Sequence, residues 1–215
     1  MKIWKDIPTE TIIKHSYPEH SICIFDMDGT LINSEPAHIR SLQSLLKNEK
    51  IDWELQRVYK EFSGKADENC FKKIIELYPS FSMDIQTFLS AKNNDLLKTF
   101  DQLHAQSQLI DKAILDLLVE MNSKNWRLAL VTASEDVLLQ KILDLLGREL
   151  FEFSLSTKDT VLQKPYPDPY LKAFSLFKVT DPKQVIIFED SPTGLEAAQS
   201  SGAIVNKVEW FENLD

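Results

Sequence analysis

Four short apolar runs, at residues 22–25, 128–131, 185–188 and 204–208, each end in polar or turn residues. Runs of four or five residues rich in Ile, Val, Leu and Phe predict strands buried on both faces, because a half-exposed strand would alternate. Between them the apolar positions return at helical spacing. Ile114, Leu117, Leu118 and Met121 form one stripe, and Leu138, Ile142, Leu145 and Leu146 another. Strand–helix alternation of this kind predicts an α/β fold, a Rossmann-like parallel sheet with helices on both faces. In such sheets sites gather at the carboxyl ends of the strands, where loops and helix N-termini meet. Asp26, Thr132 and the pair Glu189 and Asp190 each follow a predicted strand, so the fold would bring them to one crevice.

From residue 36 to residue 107 the strand signal disappears. Helical spacing takes over, first in Ile39, Leu42, Leu45 and Leu46, then in Cys70, Ile74 and Leu77. A strandless stretch of roughly seventy residues is far longer than an ordinary crossover connection. It reads as an inserted helical cap. The expected organisation is an α/β core of residues 1–35 and 108–215, with a cap of residues 36–107.

The 215 residues suffice for one domain carrying such an insertion. With 24 basic against 33 acidic residues the formal charge is −9, which argues against a general nucleic-acid binder. An anionic small-molecule substrate stays open, provided a metal or a few lysines reverse the local field. No apolar run approaches the ~20 residues that span a bilayer, so no membrane partner is expected. Residues 1–20 hold no apolar signal-peptide core, and nothing in them points to a function. Two cysteines cannot make a disulfide framework, and Cys23 lies inside an apolar run as a small buried hydrophobe would. A reduced, cytoplasmic setting is the expectation. No feature decides the oligomeric state.

The chemistry starts at Phe25-Asp26-Met27-Asp28-Gly29-Thr30, which puts two carboxylates two residues apart directly after a buried strand. Asp and Gly are also ordinary turn residues. Spacing of two, however, sends both side chains toward the same side of the chain. An ionised carboxylate at Asp26 can attack phosphorus. A second carboxyl group, Asp28, can protonate the leaving oxygen and later activate water. Crowding two carboxylates costs repulsion, which a divalent cation relieves while screening a phosphate. Gly29 allows a sharp turn whose amides can cradle phosphate oxygens.

With these residues the chain resembles the haloacid dehalogenase-like hydrolase superfamily, in its branch of phosphatases and β-phosphoglucomutase-like enzymes. The first motif is the stretch FDMDGTLINSEP, and the second is Val131-Thr132-Ala133-Ser134. The third is the lysine of Lys164-Pro165-Tyr166-Pro167-Asp168-Pro169, and the fourth is IIFEDSPTGLEAAQSSGA. Four motifs in order carry the resemblance where one alone would not. It implies Asp26 as the nucleophile that forms an aspartyl-phosphate and Asp28 as general acid and base, with its backbone carbonyl helping to ligate magnesium. It implies Thr132 and Lys164 on the transferring phosphoryl group. Asp190 and Glu189 are implied as metal ligands, Glu189 directly or through a water, and Gly29, Thr30, Ala133 and Ser134 as substrate contacts. An oxygen-rich site of this kind suits Mg2+. Each assignment has a plainer rival: Thr132 as a helix cap, Lys164 as a solvated loop lysine, and Glu189 and Asp190 as acids at a helix N-terminus.

The resemblance narrows the reaction more than the substrate. Dehalogenases of the superfamily do not need the second aspartate, so Asp28 argues against that chemistry. A phosphatase acting on a small phosphorylated metabolite, such as a sugar phosphate, and a phosphohexomutase remain. His38 and Lys92 resemble cap residues of the mutases, although each also reads as an ordinary helix residue. At Phe62-Ser63-Gly64-Lys65-Ala66-Asp67 the chain departs from the mutase pattern, with Asp67 where an arginine would grip a second phosphate. Lys65 is the candidate to compensate, but lysine lacks the bidentate fork of arginine. The expectation is a phosphatase. A non-catalytic binding protein is the reading from a different class; scarce glycine and Gln163 in place of a glycine before Lys164 keep it in view. Trp53, Phe62, Phe71, Tyr78 and Phe88 either wall the substrate pocket or fill the cap core.

Overall fold

The computed structural model describes residues 1–18 and 21–211, and positions 19–20 and 212–215 of the expected core lie outside the described residues. Among the described residues six strands form one parallel sheet: β1 (Lys2–Trp4), β2 (Ile22–Phe25), β3 (Arg127–Val131), β4 (Phe153–Leu155), β5 (Val185–Glu189) and β6 (Ile204–Val208). Their order across the sheet is β1-β6-β5-β2-β3-β4. β2 lies at the centre, with Phe25 in register with Leu130 of β3 and Phe188 of β5. The carboxyl ends of these three strands therefore lie side by side, as a switch in strand order requires of a site-bearing sheet.

The chain divides into two compact units. One joins Met1–Ile32 to the chain from Ile110 onward, and the other is Asn33–Leu109. The first holds the sheet together with α1 (Glu10–Ser16), α6 (Lys112–Ser123), α7 (Asp136–Leu146), α8 (Asp168–Phe177) and α9 (Pro192–Ser200). On one face of the sheet Ile24, Ala129, Val131, Val185, Ile187 and Val205 pack with Tyr170, Ala173, Phe174 and Phe177 of α8 and with Ala197 and Ala198 of α9. The intervening strand residues Cys23, Phe25, Leu128, Leu130, Ile186 and Phe188 are buried too, as a sheet covered on both faces demands. The α6 stripe is buried as its spacing predicts. In α7 the buried stripe runs through Leu138, Leu139, Ile142, Leu143 and Leu146, and Leu145 is only half-buried.

The second unit is helical: α2 (Glu35–Asn48), α3 (Leu55–Phe62), α4 (Asp67–Leu77) and α5 (Ile85–Ala105). Its core gathers Ile39, Leu42, Leu45 and Leu46 from α2 with Cys70 and Ile74 from α4. Leu77, the last residue of α4, is 45% exposed and does not belong to that stripe. Trp53, Phe62 and Phe88 are part of this core, and Phe71 and Tyr78 pack against it. These aromatics belong to the core of the helical unit. No described helix is long and apolar enough to cross a membrane.

Candidate active site

β2 ends at Phe25, and the N–H of Asp26 continues the ladder by donating to Phe188 O at 3.0 Å. The chain then folds into a tight loop in which Leu31 N and Ile32 N donate to Met27 O at 2.8 and 3.1 Å. Gly29 has φ 75°, a backbone state that glycine adopts without penalty. A Cβ at Gly29 would collide with the carboxylate of Asp190. The first motif and the β5–α9 junction therefore meet face to face only because Gly29 has no side chain.

Lys164 enters from the loop before α8, ahead of a cis peptide bond to Pro165. Its Nζ donates to Asp26 Oδ1 at 2.6 Å, Glu189 Oε1 at 2.8 Å and Val131 O at 3.1 Å, and its side chain is 3% exposed. A solvated loop lysine it is not. Burial works against its charge, but Asp26 above all holds the ammonium well above the ordinary lysine range, with help from Glu189. The other oxygen of Glu189 accepts from Ser191 N at 3.0 Å and Ser191 Oγ at 3.3 Å. Gly194, in the first turn of α9, leaves the space that this carboxylate fills, since a Cβ there would overlap it.

Asp26, Glu189 and Asp190 each offer a carboxylate oxygen, all within 4.8 Å of one another. Burial first, and then the charge of Glu189, push Asp26 well above the usual carboxylate range against the pull of Lys164. The same two causes push Asp190 up to about 7. One ammonium is too little positive charge for this cluster. A divalent cation would redress the balance, and an all-oxygen donor set suits magnesium.

Asp28 points elsewhere. Its Oδ2 accepts from Ser134 Oγ at 2.6 Å and, at the limit of hydrogen bonding, from Thr132 Oγ1 at 3.5 Å. Thr132 Oγ1 accepts from Ser134 N at 3.0 Å, whereas α7 starts only at Asp136, so Thr132 is not the cap of that helix. The cap of α9 is Ser191, whose Oγ accepts from Gly194 N at 3.1 Å, which leaves Asp190 outside the capping set. Ala133 is exposed. Thr30 is fully buried, and its Oγ1 donates to Asp190 Oδ1 at 3.1 Å. Gln163, conspicuous by sequence for replacing a glycine, ties down the loop ahead of Lys164 by donating from Nε2 to Thr157 O (2.8 Å) and Thr160 O (2.5 Å).

Within the helical unit Lys92 is 2% exposed, so it is not a solvated helix lysine. Its Nζ lies 2.5 Å from Asp67 Oδ1 and 2.9 Å from His38 Nδ1. Lys65 stays outside this cluster: it is exposed and its Nζ donates to Glu61 O. The loop between α3 and α4 is tied to α2 by Gly64 N, which donates to Glu35 Oε1 at 2.9 Å.

Three residues of the core site carry no local signal in the sequence. Tyr170 lies under Lys164, with Nζ 5.1 Å from its ring centroid. Gly194 makes room for Glu189. Trp210 donates from Nε1 to Thr30 O at 2.8 Å across 180 positions of chain. A glycine in a helix is the nearest thing to a warning among them.

Acids and a buried lysine gathered at the carboxyl ends of a parallel sheet mark the place where α/β enzymes carry their sites. The chain belongs to the haloacid dehalogenase-like hydrolases, whose family model matches residues 23–208. It is 27% identical over 191 residues to the fructose-1-phosphate phosphatase YqaB of Escherichia coli (strain K12), covering 86% of this chain and 95% of that protein. It is 29% identical over 195 residues to (DL)-glycerol-3-phosphatase 2 of Arabidopsis thaliana, covering 83% and 75%. Among solved structures, a beta-phosphoglucomutase (pgmB) from Clostridium difficile shares the fold with a TM-score of 0.67 at 24% identity, over 91% of this chain and 87% of that one.

Proposed function

We propose that the chain, a phosphatase of the haloacid dehalogenase-like family, hydrolyses a small phosphomonoester carrying a single phosphate, with an aspartyl-phosphate on Asp26 as intermediate and magnesium as cofactor. The observation that carries this reading is the constellation around Lys164. One buried ammonium joins Asp26 to Glu189, with Asp190 close to both and Asp28 two residues further on. Asp26, Glu189 and Asp190, with the carbonyl of Asp28, would hold the magnesium. Its contribution would be to neutralise the crowded carboxylates and the phosphate together.

The chain's own residues supply the rest. The Asp26 carboxylate attacks phosphorus, and the bond from phosphorus to the substrate oxygen breaks as Asp28 delivers a proton to that oxygen. Asp28 then takes a proton from water as the water attacks the aspartyl-phosphate, releasing phosphate and restoring Asp26. Ser134 and Thr132 hold Asp28 for both transfers. Lys164 keeps the nucleophile oriented and faces the charge on the moving phosphoryl group. Gly29 and Ala133 lend backbone to the phosphate, and Thr30 acts through Asp190.

Two observations support a single phosphate on the substrate. Lys92 is already matched by Asp67 and His38, and Lys65 is turned back onto the end of α3. Where the mutase pattern has an arginine fork for a second phosphate, this chain has the acid Asp67. The relatives named above are phosphatases of fructose 1-phosphate and of glycerol 3-phosphate, both small monoesters. The buried, unpaired cysteines fit a reducing cytoplasm. The test is release of phosphate from p-nitrophenyl phosphate and from a panel of sugar and polyol phosphates, with and without magnesium, against Asp26→Asn. Magnesium-dependent release that Asp26→Asn abolishes is expected. No turnover with any metal would overturn the reading, and interconversion of hexose phosphates would replace it with a mutase.

A further inference from the structure

The loop that carries Asp28, Gly29 and Thr30 is held from inside by Met27 O. From outside, Ser134 and Asp190 hold its side chains, and a bond to its backbone comes from beyond the stretch matched by the family model. Trp210 is 7% exposed and donates from Nε1 to the backbone oxygen of Thr30. Thr30 in turn donates from Oγ1 to Asp190. Because the Asp190 carboxylate is already pressed against Gly29, a small displacement of this loop must move it.

The indole itself is seated by an aromatic group under the site. Its ring lies 6.2 Å from that of Phe188, which stacks on Phe25 at 5.2 Å and leans on Trp4 at 6.3 Å. Phe25 immediately precedes Asp26, and Phe188 immediately precedes Glu189. The edge strand β1 secures this end of the chain: Trp4 O accepts from Glu209 N at 2.8 Å, and Trp4 Nε1 donates to Asn206 Oδ1 at 2.9 Å. Packing alone would be served by any large apolar side chain. The buried N–H aimed at Thr30 O is specific to tryptophan at this place.

We propose that Trp210 is a positioning residue for magnesium binding, acting through Thr30 on Asp190. The inference rests on the function proposed above in taking Asp190 as a metal ligand. It predicts that the Trp210→Phe variant, which keeps a ring and loses the donor, binds magnesium about fivefold more weakly, the scale of one hydrogen bond. The measurement is calorimetric titration of the whole protein with magnesium chloride, beside the rise in Tm that the same salt produces. Val208→Ala, a cavity in β6 just ahead of Trp210, lowers stability without touching Thr30 and should keep wild-type affinity. Thr30→Val, which removes the hydroxyl on Asp190, should weaken binding as Trp210→Phe does, and serves if the tryptophan variant does not fold. Wild-type affinity in Trp210→Phe or Thr30→Val overturns the inference, and so does equal weakening in Val208→Ala. A wild-type protein that takes up no magnesium would overturn the proposed cofactor and this inference together.

Discussion

Two lysines are withdrawn from water in this molecule, one in each unit, and their surroundings differ in charge balance. Lys164 lies among Asp26, Glu189 and, close by, Asp190. Lys92 has one carboxylate, Asp67, and one histidine, His38. Taking an ammonium out of water costs several kcal/mol, so both positions need partners. In the helical unit the charges balance at one cation to one carboxylate, and nothing more is called for. In the core they do not. Carboxylates outnumber the ammonium in a space that burial makes electrically unforgiving, which is why Asp26 and Asp190 rise so far above their usual range. A balanced buried pair needs no further partner, whereas the unbalanced one fits the further cation and anionic guest proposed above.

The largest test of that contrast is Asp26→Asn. The amide keeps the shape of the side chain but cannot form an acyl phosphate, so phosphatase activity should fall about a thousandfold or more, measured as single-substrate kcat. Residual activity within tenfold of wild type would remove Asp26 from the role of nucleophile. Next comes Lys164→Met. Loss of the ammonium should lower kcat about a hundredfold or more. It should also lower Tm while enlarging the rise in Tm that magnesium produces, because the cation then has all the carboxylates to neutralise. A variant whose magnesium response shrinks would contradict the picture of excess negative charge.

The helical unit should answer differently. Asp67→Asn leaves Lys92 buried beside a neutral amide. Asp67 is itself 29% exposed, so the cost should be about 1–2 kcal/mol, less than the roughly 3–5 kcal/mol of breaking a fully buried pair. The same variant should shift preference toward substrates with a second phosphate, measured as the ratio of kcat/KM for a hexose bisphosphate and a hexose monophosphate. An unchanged ratio would deny Asp67 any part in selectivity. Lys92→Met should cost less than Asp67→Asn in thermal unfolding, since a methionine fills the space and Asp67 can still reach water.

How much of this can be read from the sequence depends on how far apart the partners lie. Strands β2, β3, β5 and β6 are legible because a strand buried on both faces is a continuous apolar run. Strands β1 and β4, three residues each, are too short to show any period. Asp26, Thr132, Glu189 and Asp190 are legible as a group because each follows a strand end, whereas Lys164 is legible only through its own motif ahead of α8. The burial of Lys92 is not, since its partners lie 54 and 25 positions away and a lysine in a helix ordinarily faces water. The cap aromatics read equally as pocket wall and as core until packing decides. In α7 the choice of Leu143 over Leu145 for the buried stripe is made by the packing around the helix, not by the spacing within it.

The smallest effect belongs to a third ion pair, intermediate between the two. Glu10 of α1 is 3% exposed and accepts from Lys124 Nζ at 2.6 Å and Trp126 Nε1 at 2.9 Å, while Lys124 remains 46% exposed. Burial works to raise the pKa of Glu10, but the hydrogen bonds from Lys124 and Trp126 outweigh it and hold the carboxyl below its ordinary value. A carboxyl whose folded pKa is depressed contributes stability that is present above its unfolded value of about 4.3 and is lost as pH falls through the folded one. Glu10→Gln should therefore cost about 0.5–1 kcal/mol at pH 7, discounted for the solvent around Lys124. The gap from wild type should narrow as the pH falls below about 4.3 and close only below the depressed folded pKa, where Glu10 is protonated in both states. Thermal unfolding of the two proteins across that range reads this directly. A gap that persists at acid pH would mean that Glu10 holds α1 by shape rather than by charge, and that the pair belongs with neither lysine.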